Sequence, residues 1–315
     1  MLSLPTMTDV LRARRLLATE LTPTPLRACP ALGPGVLIKH ENLHPTGAFK
    51  VRGGLNLLAG LDGPGVVGYS TGNHAQSLAH AAGRYGMPCT IVMPERPNPA
   101  KAAAVRALGA ELVEYGATFD DAREHAQRLA KDRGLRLVSA ADEPALIAGV
   151  ATAYLEVFEA DPDVEAIVVP VGGGSGAAAA CLVAAAVAPG CEIFAVQSSA
   201  SPAAHDSWRA GTPVHRPNET VVEGLATGSG FALTQELLRD RLADFLLVSD
   251  EEIARAQARL LREAHVLAEG AGAAPLAAFD RYRDRFAGRK VVLMCTGGNA
   301  SPAEIRAAAM AEPRP

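Results

Sequence analysis

The sequence predicts an α/β fold with two lobes, each a three-layer arrangement around a parallel sheet. Short apolar runs alternate with helix-length segments along most of the chain. This alternation is typical of βαβ units, in which a crossover helix joins two parallel strands. The length of 315 residues is also sufficient for more than one hydrophobic core.

The N-terminal part of the chain precedes the most regular alternation. Residues 1–20 place arginines among leucines, which predicts an amphipathic helix, and two prolines soon afterwards end it. An extended run is expected over 36–41, followed by a helix over 50–58. We expect Thr46 or Gly47 to cap this second helix, because a hydroxyl or a bare backbone there helps to satisfy the first N–H groups.

Residues 61–140 show the alternation most clearly and are expected to form a small lobe inserted into the chain. The strands of this lobe are predicted over 66–69, 89–93, 111–115 and 135–138. The helices between them are predicted over 73–85, 99–108 and 120–132. Residues 1–60 and 141–315 are expected to form the large lobe.

The second half of the chain continues the pattern, with one irregular segment. Strands are predicted over 166–171, 192–196, 245–248 and 291–294. Helices are predicted over 144–159, after residue 176, from residue 250, over 272–286 and from residue 302. Ser249 and Glu252 form a capping-box pattern at the start of one of them. Residues 198–230 contain three prolines and are predicted to be rich in loops.

Composition excludes several classes of function. Hydrophobic residues make up 49% and charged residues 20% of the chain, an ordinary globular balance. The net charge of -4 gives no reason to expect nucleic-acid binding. The apolar run over 177–188 is too short to cross a bilayer, so no membrane partner is expected. The five cysteines form no Cys-x-x-Cys pair, which favours reduced thiols in a cytoplasmic protein over disulfides or a zinc site.

Lys50 is the first candidate for chemistry. It lies in the segment Gly-Ala-Phe-Lys-Val-Arg-Gly, at the start of a predicted helix and among apolar neighbours. Loss of hydration lowers the pKa of a lysine and makes its amine a usable nucleophile or base. The alternative is an ordinary solvated lysine, and only the remaining motifs favour the catalytic interpretation.

A glycine-rich turn is the second candidate. Residues 172–176, Gly-Gly-Gly-Ser-Gly, follow a predicted strand and precede a predicted helix. Converging backbone N–H groups and a helix N-terminus form a cradle for phosphate. The spacing fits neither a dinucleotide fingerprint nor a Walker loop, so a single phosphate monoester suits it better. The alternative is a tight turn that simply needs small residues.

Two further polar segments follow predicted strands. The hydroxyls of Ser70 and Thr71 could bind a carboxylate at a helix N-terminus, and Asn73 could bind a ring substituent. Thr296, at the end of the last strand, offers a neutral hydroxyl where a ligand could bind. Cys295 beside it is interpreted as a buried core side chain. The alternatives are a capped helix start and a glycine turn.

In this order, the four motifs resemble those of the fold-type II enzymes of pyridoxal 5′-phosphate (PLP). The resemblance covers about residues 20–310 and is strongest to the threonine and serine dehydratases and the serine racemases. It implies a fold like that of the tryptophan synthase β-subunit. Residues 1–60 and 141–315 would then form the PLP-binding domain, and 61–140 a small domain on the substrate side.

The resemblance also implies a reaction. The enzyme would be an ammonia-lyase that converts an L-hydroxy amino acid, such as L-threonine or L-serine, to a 2-oxo acid and ammonia by β-elimination. Lys50 would hold PLP as a Schiff base and later remove the α-proton. The other PLP contacts would be Asn73, Gly172, Gly173, Gly174, Ser175, Gly176 and Thr296. The substrate carboxylate would be surrounded by Ser70, Thr71, Asn73 and His74. Homodimers or homotetramers are implied as well.

Three positions depart from the family pattern. Thr71 stands where serine racemases have a serine that protonates the opposite face, which puts racemisation in doubt. Gln197 and Ala203 stand where the family's divalent-cation site has carboxylates, so no metal is expected, although Asp206 is close in sequence. His205 and Asp206 are interpreted as part of a surface helix.

Other functions stay open on this scaffold. They are racemisation, β-replacement as in the cysteine synthases, and binding without catalysis. Cysteine synthases usually have threonine at the position of His74, and Lys50 argues against a non-enzymatic protein. A nicotinamide dehydrogenase would need a dinucleotide site that the glycine turn does not support.

Overall fold

The computed structural model describes residues 3–311 and confirms an α/β fold with two separate sheets. The strands are β1 (Leu26–Ala28), β2 (Val36–His40), β3 (Val66–Tyr69), β4 (Cys89–Met93), β5 (Glu111–Glu114), β6 (Arg136–Val138), β7 (Ala166–Pro170), β8 (Glu192–Ser198), β9 (Asp244–Val248) and β10 (Val291–Cys295). The larger sheet has the order β1-β2-β10-β7-β8-β9, and only the β1–β2 pair is antiparallel. The smaller sheet, β5-β4-β3-β6, is parallel throughout.

Helices cover the faces of both sheets. They are α1 (Met7–Leu17), α2 (Lys50–Ala59), α3 (Asn73–Tyr85), α4 (Pro99–Ala107), α5 (Phe119–Arg133), α6 (Pro144–Ala160), α7 (Ser175–Val187), α8 (Ala203–Ala210), α9 (Ala232–Leu238), α10 (Asp250–Glu263), α11 (Gly270–Arg281) and α12 (Pro302–Met310). Within residues 3–311, no helix is both long and apolar enough to span a bilayer.

The hydrophobic core shows why a strand such as β7 has no polar face. Ile167 and Val169 pack into one apolar cluster with α6 and α7. Ala166 and Val168 point the other way, into a second cluster with α10 and α11. Because side chains alternate across a sheet, a strand covered on both faces is apolar throughout.

Most predicted elements are confirmed, with errors at their ends and in the irregular segment. The predicted helix over 1–20 is α1, which is shorter, and residues 1–2 lie outside the described part. The prediction missed β1, a short strand that pairs with β2. It also missed α9, which follows the segment predicted to be loop-rich. Inside that segment, α8 contains His205 and Asp206, where a surface helix was expected, but its bounds were not predicted. The predicted helix over 272–286 begins earlier, at Gly270, and ends at Arg281.

The carboxyl ends of β3, β7 and β10 lead directly into the polar and glycine-rich segments identified in the sequence. Ligands bind at such ends in open parallel sheets. The division into a large lobe (1–60 and 141–315) and a small lobe (61–140) stays a prediction. Residues 312–315 of the large lobe lie outside the described part of the chain. The existence of two sheets, with β3–β6 alone in the smaller one, supports that division.

Candidate active site

Lys50 is the first residue of α2, as predicted, but the predicted caps are wrong. The N-cap is Phe49, and no side chain caps the helix. Thr46 instead donates from Oγ1 to the Ala48 carbonyl, and Gly47 has a φ of 69°. The Phe49 N–H donates to the Thr296 carbonyl at 2.9 Å. The chain before α2 is therefore fastened to the end of β10, and this contact takes the place of a side-chain cap.

The Lys50 amine faces the glycine-rich turn. Its Nζ donates to Ser175 Oγ at 2.8 Å and to the Ala140 carbonyl at 3.1 Å. Burial lowers the pKa of Lys50 to about 8, because a charged amine is poorly solvated there. A large fraction of the amine is therefore neutral slightly above neutral pH, as a nucleophile or base requires.

A buried ion network holds the helix that carries Lys50. The Arg52 guanidinium, two residues further along α2, donates to both oxygens of Glu41 and to both oxygens of Glu156. Lys39 Nζ donates to Glu156 Oε2 at 2.6 Å. His44 Nε2 lies 3.1 Å from Glu41 Oε2. Since all five residues are buried, the network fastens α2 to β2 and α6 away from solvent.

The glycine-rich turn ends β7 and opens α7. Gly174 is the N-cap of α7, with a φ of 92° that favours glycine, and no side chain caps the helix. A Cβ on Gly172 would lie 2.4 Å from the Gly224 carbonyl oxygen, so this position needs a glycine. Within residues 3–311, the N–H groups of Gly172, Gly173 and Gly174 have no hydrogen-bond acceptor. Unpaired N–H groups at a helix N-terminus fit an anion, and a phosphate group in particular.

The segment after β3 places His74 in the interior. α3 begins at Asn73 with Gly72 as N-cap, and Ser70 Oγ accepts a hydrogen bond from the Gly72 N–H at 3.2 Å. His74 is buried, and neither ring nitrogen has a partner among the described residues. Burial, followed by the nearby charge of Lys50, lowers the pKa of His74 to about 3, so the ring is neutral; the Val138 backbone lies close enough to oppose this shift in part, although outside hydrogen-bonding geometry. Ring nitrogens left unpaired beside Lys50 fit a polar ligand.

Asn73 lies in a hydrogen-bond chain that the sequence did not indicate. Asn299 Nδ2 donates to the Thr46 carbonyl at 2.9 Å and to Asn73 Oδ1 at 2.8 Å. Asn73 Nδ2 donates to Glu269 Oε1 at 2.7 Å. Glu269 itself precedes α11, and its N–H donates to the Gly297 carbonyl at 3.0 Å. Sequence analysis missed Glu269, because no motif surrounds it and its partner is 196 positions away.

Thr296 and Cys295 are both buried at the end of β10. Burial raises the pKa of the Cys295 thiol, so the residue is a neutral core side chain, as predicted. Thr296 reaches the Lys50 segment through its carbonyl and presents no acidic group.

The structure thus brings together Lys50 and Ser175 directly, and Asn73 with the segment after β10. His74 lies near enough to Lys50 that the positive charge of Lys50 helps to lower the pKa of His74. Among the described contacts, the Ser70 and Thr71 side chains have none with Lys50 or the glycine-rich turn.

The residues at the family's divalent-cation position make protein contacts instead. Gln197 is buried, and its Oε1 accepts a hydrogen bond from the His205 N–H at 3.1 Å. The Asp206 carboxylate contacts His205 Nδ1 and Arg216 Nε, at 2.8 Å and 2.5 Å. His205 and Asp206 belong to α8, and both side chains are mostly buried. In the described part of the chain, no group of three or more His, Cys, Asp or Glu residues is placed to hold a metal.

Known proteins resemble the chain over nearly its whole length. The family model described as pyridoxal-phosphate dependent enzyme matches residues 17–297. The L-threonine ammonia-lyase of Geobacter sulfurreducens is 39% identical, covering 85% of this chain and 68% of that protein. The L-threo-3-hydroxyaspartate ammonia-lyase of Saccharomyces cerevisiae is 32% identical, covering 94% of this chain and 93% of that protein. The solved structure of maize serine racemase superposes with a TM-score of 0.91 at 26% identity, covering 96% of each chain.

Proposed function

Because the chain belongs to the family of pyridoxal-phosphate dependent enzymes, we propose that it is an ammonia-lyase that converts an L-hydroxy amino acid, such as L-threonine or L-serine, to a 2-oxo acid and ammonia. The observation that carries the proposal is the position of the Lys50 amine. The Lys50 amine lies at the start of α2, and its Nζ is 2.8 Å from Oγ of Ser175, the first residue of α7. Within the described residues, the N–H groups of the glycines just before Ser175 have no acceptor.

The described residues fit PLP. The free N–H groups of Gly172, Gly173 and Gly174 would hold the phosphate, with Ser175 and Gly176 continuing the turn. Lys50 would hold the aldehyde carbon, Asn73 the ring hydroxyl and Thr296 the ring nitrogen. When bound, the cofactor supplies an electron sink for the bond broken at the substrate α-carbon.

Removal of the α-proton is assigned to one of the chain's own groups. The neutral form of the Lys50 amine would accept the α-proton at Nζ, since its lowered pKa leaves an unprotonated fraction near neutral pH. The hydroxyls of Ser70 and Thr71, with Asn73 and His74, would orient the substrate carboxylate. The neutral Thr296 hydroxyl would donate a hydrogen bond to the ring nitrogen without protonating it, whereas a carboxylate partner would keep that nitrogen protonated. This arrangement favours rapid loss of the β-hydroxyl over slower reactions at the α-carbon.

A substrate panel tests the proposal. L-Threonine, L-serine and L-threo-3-hydroxyaspartate are incubated with the reconstituted enzyme, and 2-oxo acid, ammonia and D-amino acid are measured. We expect stoichiometric 2-oxo acid and ammonia from the wild type and none from Lys50→Ala. Lys131→Ala, at an exposed position on α5, is the control and should match the wild type. D-Serine as the main product would overturn the ammonia-lyase assignment.

Racemisation is the second candidate, and the similarity to maize serine racemase favours it. Thr71 is the position where the two activities differ. If racemisation is limited by the bulk of this side chain, Thr71→Ser should raise the ratio of D-serine to pyruvate. An unchanged ratio would contradict that role of Thr71.

We also propose a homodimer or homotetramer located in the cytoplasm. The resemblance to the family supports the assembly, and five free cysteines suit a reducing compartment. Light scattering after size-exclusion chromatography measures the mass of the assembly. A mass of 32.6 kDa, that of one chain, would contradict the proposed assembly.

A further inference from the structure

Glu269 is an unusual carboxylate for the interior of an active site. Its side chain accepts one hydrogen bond, from Asn73 Nδ2 at 2.7 Å, and forms no ion pair within residues 3–311. It is packed so tightly against the segment after Thr296 that a Cβ on Gly297 would lie 2.3 Å from Oε1. Glu269 is partly buried, and carboxylates withdrawn from solvent normally have a cation or several donors, so an isolated one at a site points to a function.

The hydrogen-bond chain defines which way the Asn73 amide points. The Thr46 carbonyl can only accept, so the Asn299 atom 2.9 Å from it is the nitrogen. The same nitrogen donates to Asn73, which therefore presents its oxygen to Asn299. The Asn73 nitrogen then faces Glu269 and gives it one of its two N–H groups. The second N–H is left over for a ligand.

We infer that Glu269 is a positioning residue of the cofactor site: it fixes the Asn73 amide so that one N–H stays available to the ring oxygen of PLP. The inference rests on the proposed contact between Asn73 and the cofactor. A negatively charged acceptor holds an amide N–H more strongly than a neutral one does. Protonation of Glu269 therefore loosens Asn73 and weakens cofactor binding.

The surroundings place this protonation in an accessible pH range. Burial raises the pKa of Glu269 to about 7, while the hydrogen bond from Asn73 lowers it. Two charged groups face the carboxyl group from other helices: Glu304 of α12 raises its pKa, and Lys101 of α4 lowers it. From β10, the Cys295 thiol is also close, and burial keeps it neutral.

The experiment compares PLP dissociation constants in a Lys50→Ala background, which removes both the covalent link and the titration of the lysine. The background protein and its Glu269→Gln derivative are titrated with PLP at pH 6 and pH 8. The ratio of the two dissociation constants cancels any titration of PLP itself. We expect Glu269→Gln to weaken binding about tenfold at pH 8, where the native carboxylate is charged, and hardly at all at pH 6.

Two controls separate positioning from general damage. Glu111→Gln removes a carboxylate that pairs with Thr90 and Arg133 at the edge of the smaller sheet, and it should leave the dissociation constant unchanged at both pH values. In an Asn73→Ala background, Glu269→Gln should have no further effect, because its partner is gone.

An equal effect at both pH values, or an undiminished effect without Asn73, would overturn the inference and leave the proposed function intact. Undiminished release of 2-oxo acid by the Lys50→Ala protein would instead overturn the proposed function, and this inference with it.

Discussion

Replacing Arg52 by alanine should destabilise the protein far more than the loss of one surface ion pair. The guanidinium makes five hydrogen bonds, four of them to the buried carboxylates of Glu41 and Glu156. Without it, Lys39 remains as the one lysine or arginine within 4 Å of these carboxylates in the described structure, at 3.9 Å from Glu41 and 2.6 Å from Glu156. A buried carboxylate without its partner carries an uncompensated desolvation cost.

The magnitude follows from that cost. Breaking a buried ion pair by removing one partner costs about 3 to 5 kcal/mol. The entropy of unfolding is about 2.1 cal/mol/K per residue, or about 0.7 kcal/mol/K for this chain. The midpoint of thermal unfolding should therefore fall by about 5 to 8 °C.

Differential scanning calorimetry at pH 7 measures the change, with Arg106→Ala as the matched control. Arg106 pairs with Glu114 on the surface, where both side chains are well exposed, so its loss should lower the midpoint by about 1.5 °C at most. An Arg52→Ala midpoint no lower than that of Arg106→Ala would refute the idea that this network stabilises the helix carrying Lys50.

Three other outcomes are expected. Gly172→Ala should weaken PLP binding at least about tenfold, because its Cβ would collide with the Gly224 carbonyl; Gly190→Ala, which meets nothing within 4 Å, should bind PLP normally in the same titration. The rate of PLP incorporation into the apoenzyme should rise about tenfold between pH 7 and pH 9, because burial lowers the pKa of Lys50 to about 8; a pH-independent rate in stopped-flow absorbance would contradict this. Burial raises the pKa of Glu156, but the contacts with Arg52 lower it by a larger amount, so the net pKa lies below the ordinary 4.5. The stabilising effect of the Glu156 carboxylate is therefore present above pH 4.5 and is lost as the pH falls. The difference in melting temperature between wild type and Glu156→Gln should accordingly shrink from pH 6 to pH 4, and a constant difference would count against the ion pair.

Local patterns predicted much of the fold. Central strands such as β4 and β10 are apolar runs buried on both faces, and the helices between strands are amphipathic or well capped, as with Ser249 and Glu252 at α10. The position of Lys50 at a helix start and of Gly172–Gly174 between a strand and a helix also follows from sequence order. A helix was expected at His205 and Asp206, but the bounds of α8 could not be predicted, because the prolines and polar residues around it are typical of a loop.

Contacts between distant segments account for what the sequence did not indicate. Lys50 and Ser175 are 125 positions apart, and the tertiary fold, in which α6 packs against both α2 and α7, brings them together. Nothing in the local sequence marks Arg52 as a buried residue, since a charged side chain is ordinarily expected on the surface. The capping residue of α2 was mispredicted for the same reason: the helix start is held by the Thr296 carbonyl at the far end of the chain, not by a neighbouring side chain.

The central claim is that the Lys50 amine holds PLP covalently. Borohydride reduction of the reconstituted enzyme, followed by proteolysis and mass spectrometry, tests it directly. The account predicts the reduced cofactor on the peptide that contains Lys50 and none on Lys39, whose amine is engaged in the buried ion network. A label on any other lysine, or no label at all, would contradict it.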